Sequence, residues 1–380
     1  MSAFLKFDFY EIIVGVATAI MWLIALLCRR VPLRRLGGIN QPLANPVCVV
    51  LPIVFFTAFA GLRKTIGDTY FYMYSYMTMG DQNPVSLDVL FNNGMFSFIQ
   101  NIFRNFTSNP QWMILFISFM TIVPAMIVLY KYSYPFDFAL LLFVTYGYLG
   151  GTMDGMRQYA AAAFIIMGTR YLFSLRKGAF IKYLICVLFA YLMHNSALFM
   201  IVVFFVVRRP AWRKINYFLI VGSVVLALGF DKILPYFLDA LESTSYANYS
   251  ENGWFTNGQE GGSNIVRVFI ALAPIVLAYL NRGRLRYLGH IGDFLVNIAF
   301  INVAIFIVAL YNWIFARFAI YLSLYYIIFT TWVIYNSVKP KDRSYYYIGG
   351  GILFLIYSRF MSYQISMYQS DYFFPGRKLF

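Results

Sequence analysis

Long apolar runs recur along the whole chain and constrain its fold more than any other feature. Apolar residues make up 61% of the 380 residues and charged residues only 12%, whereas soluble domains average about 45–50% and about 25%. The runs fall at 9–28, 47–62, 111–130, 136–152, 159–175, 181–207, 215–230, 265–280, 292–312, 318–336 and 345–360. Because about 20 apolar residues span a bilayer as one helix, we predict an all-α polytopic membrane protein with about 10–12 transmembrane segments. A secreted or cytosolic enzyme is excluded.

Basic residues are concentrated in alternate connecting segments. Of the 30 lysines and arginines, 18 lie in the segments 29–46, 131–135, 176–182, 208–214, 281–291 and 337–344. Cytoplasmic loops of membrane proteins are enriched in lysine and arginine. These segments are therefore predicted to face the cytoplasm, which places both termini outside.

The apolar run 181–207 has basic clusters at both of its ends. A single spanning helix would put one of those clusters outside, against the positive-inside bias. We therefore favour a short in–out–in hairpin whose tip is His194-Asn195-Ser196, with a single helix as the alternative. Non-helical backbone at membrane depth is tolerated only where it is buried in protein or lines a wet cavity.

Two exterior segments stand out in what is otherwise a single integral membrane domain over 1–380. Segment 63–110 carries apolar side chains at helical spacing, which predicts an amphipathic helix on the outer interface. Those side chains are Leu87, Leu90, Phe91, Met95, Phe98, Ile102 and Phe106. Segment 231–264 is polar and rich in glycine near its end, which is typical of a mobile loop or lid.

Polar groups gather at the exterior ends of several apolar runs. In the predicted topology, four clusters of candidate residues reach the same exterior side. They are Arg63, Lys64 and Asp68; Arg157, Gln158 and Tyr159; His194 and Asn195; and Arg317. A charge near the middle of a membrane costs about 2.5–3.5 kcal/mol on insertion scales, so such charges usually face a cavity. We therefore predict one outward-facing polar site.

Each of these residues also has a simpler interpretation. The arginines and Lys64 could be interface anchors whose stems lie along apolar surface. Asp68 could cap the helix that follows it. His194 could be a core histidine that is hydrogen-bonded to backbone.

The residue types at this site are those that bind phosphate. Guanidinium groups match phosphate oxygens in bidentate geometry, and Arg157 opens a predicted helix whose N-terminus attracts anions. The predicted ligand is a phosphate or pyrophosphate group at the outer leaflet. Only two histidines and no Asp-x-Asp pair occur, so we predict no metal site and no cofactor. The positive charge flanks membrane segments, so no nucleic-acid partner is predicted.

These motifs resemble the EpsG family of exopolysaccharide biosynthesis proteins, which is similar to the Wzy-type polymerases of O-antigen and capsule. The residues that carry the resemblance are Gly61-Leu62-Arg63, Gly67-Asp68-Thr69, Tyr72, Met156-Arg157-Gln158, Ala160, His194-Asn195-Ser196-Ala197 and Arg317. The order and spacing of the segments agree over most of the chain.

The resemblance implies an inverting, metal-independent glycosyltransferase of the GT-C type in the bacterial inner membrane. The growing glycan would leave its polyprenyl-diphosphate carrier and pass to the next lipid-linked repeat unit at the outer face. A chain-length regulator would be a further partner. In this hypothesis the catalytic residues are His194, Asp68, Arg157 and Arg317, with His194 as base or orienting group and Asp68 as the other candidate base. The substrate-binding residues are Arg63, Lys64, Gln158, Tyr159 and Asn195.

Three other functions are compatible with a polytopic protein that has this site. A ligase would transfer the glycan to a different acceptor. A flippase or other transporter would spread its charges through the membrane depth and often show repeat symmetry. A membrane O-acyltransferase could use a single histidine, but its acyl donor commonly arrives from the cytoplasmic side.

Overall fold

The computed structural model describes residues 9–27, 29–36, 39–242, 262–285, 289–361 and 367–373. Its helices are α1 (Phe9–Leu27), α2 (Val47–Gly61), α3 (Thr69–Thr78), α4 (Leu87–Asn92), α5 (Gly94–Phe106), α6 (Gln111–Tyr132), α7 (Phe136–Thr145), α8 (Tyr148–Asp154), α9 (Met156–Met167), α10 (Thr169–Leu172), α11 (Ala179–Met193), α12 (Phe199–Val207), α13 (Lys214–Glu242), α14 (Val266–Leu280), α15 (Arg282–Leu285), α16 (Gly289–Ala309), α17 (Ile320–Ser337) and α18 (Arg343–Met361). Short 3-10 helices lie at Asn195–Leu198, Trp313–Ala319 and Pro340–Asp342. A small antiparallel hairpin pairs β1 (Arg29–Leu36) with β2 (Ile39–Ala44) and brings Arg34 opposite Gln41.

The prediction of a helical polytopic membrane protein is confirmed. Four segments of the described chain are long and apolar enough to cross a membrane alone: α1, α6, α16, and the continuous stretch Trp313–Ser337. The last two form the centre of the bundle, where 83% of each apolar window is buried, whereas only 28% is buried in the peripheral α1.

Fewer helices than the predicted ten to twelve are long enough to span alone, because several apolar runs are divided by breaks. The run 136–152 bends by 44° between α7 and α8, where Gly147 has a φ of +88° that favours glycine. Counting this pair raises the number of candidate spans to five, and five shorter apolar helices of 10–17 residues accompany them.

The predicted hairpin over 181–207 is confirmed. Helices α11 and α12 run antiparallel, since the ring of Phe180 lies 5.2 Å from that of Phe204 and 5.0 Å from that of Phe205. Arg208, after the second arm, donates a 2.6 Å hydrogen bond to the carbonyl oxygen of Ser174, before the first arm. Both basic clusters therefore lie at one end of the bundle, and His194 lies at the tip towards the other end.

Interactions between distant segments define two ends of the bundle. At one end, which we call the basic end, Trp332 donates to the carbonyl of Tyr132 at 2.6 Å and Asn297 donates to the carbonyl of Arg209 at 2.6 Å. At the opposite end, which we call the polar end, Tyr368 donates to the carbonyl of Phe59 at 2.7 Å. The side chains of Arg63, Arg157, His194 and Arg317 lie towards the polar end, as the predicted topology requires.

The segment 63–110 folds into α3, α4 and α5. Phe96 and Ile99 of α5 are buried against the bundle, which anchors the segment over the polar end. Three members of the predicted apolar row remain outside: Leu87, Phe91 and Phe106 are 69%, 68% and 85% exposed. Exposed apolar side chains on a short helix suit contact with the membrane interface, so the predicted interfacial location stays a prediction.

The predicted loop or lid over 231–264 begins inside a helix, because α13 continues to Glu242. Residues 243–261, which make up most of that prediction, lie outside the described residues.

We expect a reporter inserted after residue 211 to face the cytoplasm and one inserted after residue 82 to face the exterior. The first position lies at the basic end, among segments rich in lysine and arginine, and such segments stay inside. Paired phosphatase and fluorescent fusions at each position measure this directly. An exterior signal from position 211 would invert the bundle and put His194 on the cytoplasmic side.

Candidate functional site

Arg157 projects from the first turn of α9, directly after the chain breaks between α8 and α9. Its guanidinium carbon lies 5.3 Å from the centre of the Phe96 ring of α5. Its Nε atom is buried and has no hydrogen-bond partner among the described residues. No side chain caps the N-terminus of α9, since the preceding residue is Gly155. The positive end of the helix and the Arg157 side chain therefore lie at the same end of α9.

Arg317 is held by the 3-10 helix Trp313–Ala319, which leads directly into α17. Asn312 caps this helix by accepting a 2.9 Å hydrogen bond from the backbone N–H of Ile314. The half-buried guanidinium of Arg317 lies 5.0 Å from the centre of the Trp313 ring. Within the described part of the chain, that guanidinium has no hydrogen-bond or carboxylate partner.

The two arginines thus share one arrangement. Each guanidinium lies over an aromatic ring, while the donors along its edge are not used within the described residues. The ring attracts the guanidinium by a cation–π interaction, and the guanidinium N–H groups remain able to bind an oxyanion in bidentate fashion. Simple interface anchoring does not require this, because an anchor needs only a positive charge on a flexible stem.

A hydrogen-bond network joins the hairpin tip to both arginine-bearing elements. Gln158 donates through Nε2 to the carbonyl oxygen of Arg317 at 2.9 Å and to the hydroxyl of Ser196 at 3.2 Å. The Ser196 hydroxyl lies 2.8 Å from Nδ1 of His194 and 2.8 Å from the hydroxyl of Tyr321. Gln158 is buried and uses its amide nitrogen internally, which favours a positioning role over direct contact with a sugar.

The charge state of His194 depends on its burial and on two neighbouring cations. Burial, reinforced by the positive charges of Arg157 and Arg317, lowers the pKa of His194 from 6.5 to about 4. The imidazole is therefore neutral at physiological pH. The hydrogen bonds of Gln158 to Ser196 and to the Arg317 carbonyl bring the elements that carry these three side chains together at the polar end.

Arg63 lies close by but is used very differently. Its side chain is fully buried and donates to Thr69 Oγ1 at 2.9 Å, to Ser118 Oγ at 3.3 Å, to the Met153 carbonyl at 3.1 Å and to the Ala60 carbonyl. Burial lowers the pKa of Arg63 from 12.5 to about 10, against the opposing influence of Tyr368 and Asp154, so it stays a cation at neutral pH. This geometry favours a structural role that positions the end of α8.

Asp68 is exposed at the start of α3, and its side chain makes no capping hydrogen bond there. The carboxylate that lies deeper is Asp154, the last residue of α8. A Cβ atom at Gly67 would lie 2.2 Å from Oδ1 of Asp154 and 2.8 Å from its Cα, and Gly67 has a φ of +49°. Both the close approach and the backbone conformation therefore require glycine at position 67.

The remaining candidates lie at the margins of the cluster. Lys64 forms an exposed ion pair with Asp371, and its backbone N–H donates to the carbonyl of Gln369 at 2.7 Å. Asn195 is exposed at the hairpin tip. Tyr159 is buried with its ring 5.0 Å from that of Tyr148, so it belongs to the core of this end.

Several residues of this cluster were not predicted from the sequence. Phe96 and Trp313 hold the two guanidiniums, Ser196 and Tyr321 complete the network, and Asp154 is the deeper carboxylate. Ser196 stands inside the motif His194-Asn195-Ser196 identified from the sequence, but nothing in a linear pattern shows which polar atom of a motif turns inward. The aromatic partners give no separate signal in a chain where 21% of the residues are aromatic.

A comparison with protein families matches the EpsG family model over residues 47–375. No curated protein and no solved structure matches the chain. The family match includes every element that carries the cluster, from Arg63 after α2 to Arg317 before α17. The chain therefore belongs to the EpsG family, a family of membrane proteins related to exopolysaccharide biosynthesis.

Proposed function

We propose that the protein is a polysaccharide polymerase that transfers a growing glycan from a polyprenyl-diphosphate carrier to the next lipid-linked repeat unit. Membership of the EpsG family supports polysaccharide biosynthesis in general. The observation that carries the finer proposal is the pair Arg157 and Arg317, each with its guanidinium over an aromatic ring and its N–H donors unused among the described residues.

The proposed reaction is a single displacement with inversion. A hydroxyl group of the acceptor sugar attacks the anomeric carbon of the donor, and the bond from that carbon to the diphosphate oxygen breaks. The bonding electrons leave with the diphosphate, and the hydroxyl proton passes to a base at the polar end. Negative charge therefore grows on the leaving diphosphate, where preorganised donors lower the barrier most.

The arrangement of the arginines suits this charge development. Arg157 and Arg317 would bind oxygens of the diphosphate, and the uncapped N-terminus of α9 adds to the positive potential there. The buried network through Gln158 and Ser196 holds both elements at a fixed spacing. The polyprenyl tail would remain in the bilayer beside the bundle.

Deletion of the gene, followed by analysis of lipid-linked glycans, tests the proposed function. A polymerase mutant should accumulate carriers that bear one repeat unit at the outer face. Complementation with the intact gene should restore long chains. Single units trapped at the cytoplasmic face would indicate a flippase, and normal long chains left on the carrier would indicate a ligase.

Activity should not depend on a divalent metal ion. The sequence has two histidines and no Asp-x-Asp pair, and the arginines would neutralise the leaving diphosphate in place of a metal ion. Purified protein in EDTA is expected to extend a lipid-linked oligosaccharide at its normal rate. Loss of extension that Mg²⁺ or Mn²⁺ restores would contradict the arginine-based mechanism.

A further inference from the structure

We propose that His194 acts as a neutral hydrogen-bond donor through its Nε2–H group, that Ser196 is the positioning residue that holds it in this tautomer, and that His194 is not the general base. This inference deepens the proposed function and rests on it for the nature of the reaction. It concerns which of the two ring nitrogens carries the proton, and therefore what the imidazole offers to a substrate.

The first argument comes from the backbone of the hairpin tip. The N–H group of Ser196 points at Nδ1 of His194, with a nitrogen-to-nitrogen distance of 3.4 Å. A backbone N–H can only donate, so Nδ1 must present its lone pair. A proton on Nδ1 would face the Ser196 N–H proton directly. In neutral imidazole the single ring proton is then on Nε2.

The second argument comes from the Ser196 hydroxyl, which has one proton to donate and two lone pairs to accept with. Gln158 donates to this oxygen, because the other N–H of its amide is directed to the carbonyl of Arg317. If the hydroxyl donates to Nδ1 of His194 and accepts from Tyr321, all three of its positions are filled. The alternative tautomer would leave the backbone N–H of Ser196 without its acceptor.

The third argument is electrostatic. A general base must take up a proton during the reaction, and His194 would then become a third cation beside Arg157 and Arg317. Burial and these two charges already lower the pKa of His194 to about 4, so accepting a proton there is unfavourable. A neutral Nε2–H donor adds stabilisation to a developing oxyanion without adding charge to the cluster.

The proton of the acceptor hydroxyl then has to pass to a carboxylate. At the polar end, Asp154 is half-buried beside Gly67. Asp68, which directly follows Gly67 in the sequence, is exposed. A carboxylate becomes neutral when it accepts a proton. Either group would therefore act as the base without adding positive charge to a site that already contains two cations.

Nitrogen-15 NMR of the histidine-labelled protein tests the tautomer without any activity measurement. The chain has only two histidines, so His290→Gln assigns every remaining imidazole signal to His194. We expect an unprotonated Nδ1 and a protonated Nε2 that do not change between pH 8 and pH 5, because the pKa lies at about 4. A protonated Nδ1, or titration near pH 6.5, would overturn the proposal.

Substitutions at His194 test the role in the reaction. A glutamine amide can place an N–H near the position of Nε2 but cannot act as a base, whereas an asparagine amide reaches only the position of Nδ1. Removing one donor to a developing oxyanion costs about a hundred- to a thousandfold in rate. We expect His194→Ala and His194→Asn to show that loss and His194→Gln to recover at least tenfold of it. Equal losses in all three variants would return the histidine to the base role.

Ser196 gives the matching control for positioning. Ser196→Ala removes the hydroxyl that donates to Nδ1 but keeps the backbone N–H, so it should move the Nδ1 signal and lower the extension rate without changing the tautomer, while Ser196→Thr should restore both because it keeps the hydroxyl group. An Nδ1 signal and an extension rate that are both unchanged in Ser196→Ala would overturn the positioning role of the hydroxyl. Should the intact protein show the expected tautomer yet extend no lipid-linked glycan, the proposed function would fail while the assignment of the tautomer stands.

Discussion

Arg157→Lys and Arg317→Lys should each insert normally into the membrane and reduce polymer formation by about a hundred- to a thousandfold. Each guanidinium lies over an aromatic ring, that of Phe96 for Arg157 and that of Trp313 for Arg317, and its N–H donors are unused among the described residues. Lysine keeps the positive charge but replaces the planar fork by a point charge. The measurement is polymer length on a gel beside abundance in the membrane fraction by immunoblot.

Arg170→Lys is the matched control for these two variants. Arg170 also lies over an aromatic ring, with its guanidinium 4.7 Å from the centre of Tyr171, but it is exposed near the basic end. It should remain fully active. Arg359 is a poorer control because it forms a part-buried ion pair with Glu11 at 3.0 Å. Full-length polymer from either site variant would return that arginine to the interface-anchor interpretation.

Arg63→Met should strongly lower the unfolding temperature of the protein and its yield from membranes. The guanidinium is fully buried and satisfies hydroxyl and carbonyl oxygens from α2, α6 and α8. Hydrogen bonds to charged groups contribute about 1.5–3 kcal/mol each. A typical protein is stable by only about 5–15 kcal/mol, so losing several of these bonds removes much of its free energy of unfolding. Thermal unfolding of the purified protein in detergent or nanodiscs measures this loss.

Lys64→Met is the control, because the neighbouring residue has the opposite environment. Its ion pair with Asp371 is exposed, with side-chain exposures of 45% and 63%, and exposed ion pairs contribute little. This variant should unfold at almost the same temperature as the intact protein. If Arg63→Met folded normally yet made no polymer, Arg63 would belong to the diphosphate site as the sequence analysis predicted.

The general architecture could be predicted because it depends on quantities that a linear sequence contains. The share of apolar residues and the length of the runs determine that the chain is a bundle of membrane helices. The basic clusters at both ends of 181–207 determine that this run turns back, since one helix cannot place both ends on the same side. Successive segments alternate between the two sides of the membrane. Counting them in this way places Arg63, Arg157, His194 and Arg317 at one end of the bundle.

The number of full-length spans was harder to predict, and the reason is local. Hydropathy does not distinguish a continuous helix from two shorter ones. The bend between α7 and α8 depends on Gly147 in a left-handed conformation, and the break at His194 depends on an extended backbone there. Apolar character alone shows neither break; the basic clusters at both ends of 181–207 predicted the second, whereas no charge pattern marks the first.

What the sequence by itself determined was the class of protein, the turn at the hairpin tip and the end of the bundle where charges gather. What only the tertiary structure decided was whether each charged side chain is bonded inside the protein or left able to bind a ligand. Arg63 follows Gly61-Leu62 and Arg157 follows Gly155-Met156, so their local contexts are nearly alike. Arg63 is nevertheless enclosed by acceptors, because Ser118 and Met153 come to it from 55 and 90 residues away along the chain. The guanidinium of Arg157 lies over the Phe96 ring instead. Its N–H groups stay available because no carbonyl or carboxylate among the described residues accepts a hydrogen bond from them.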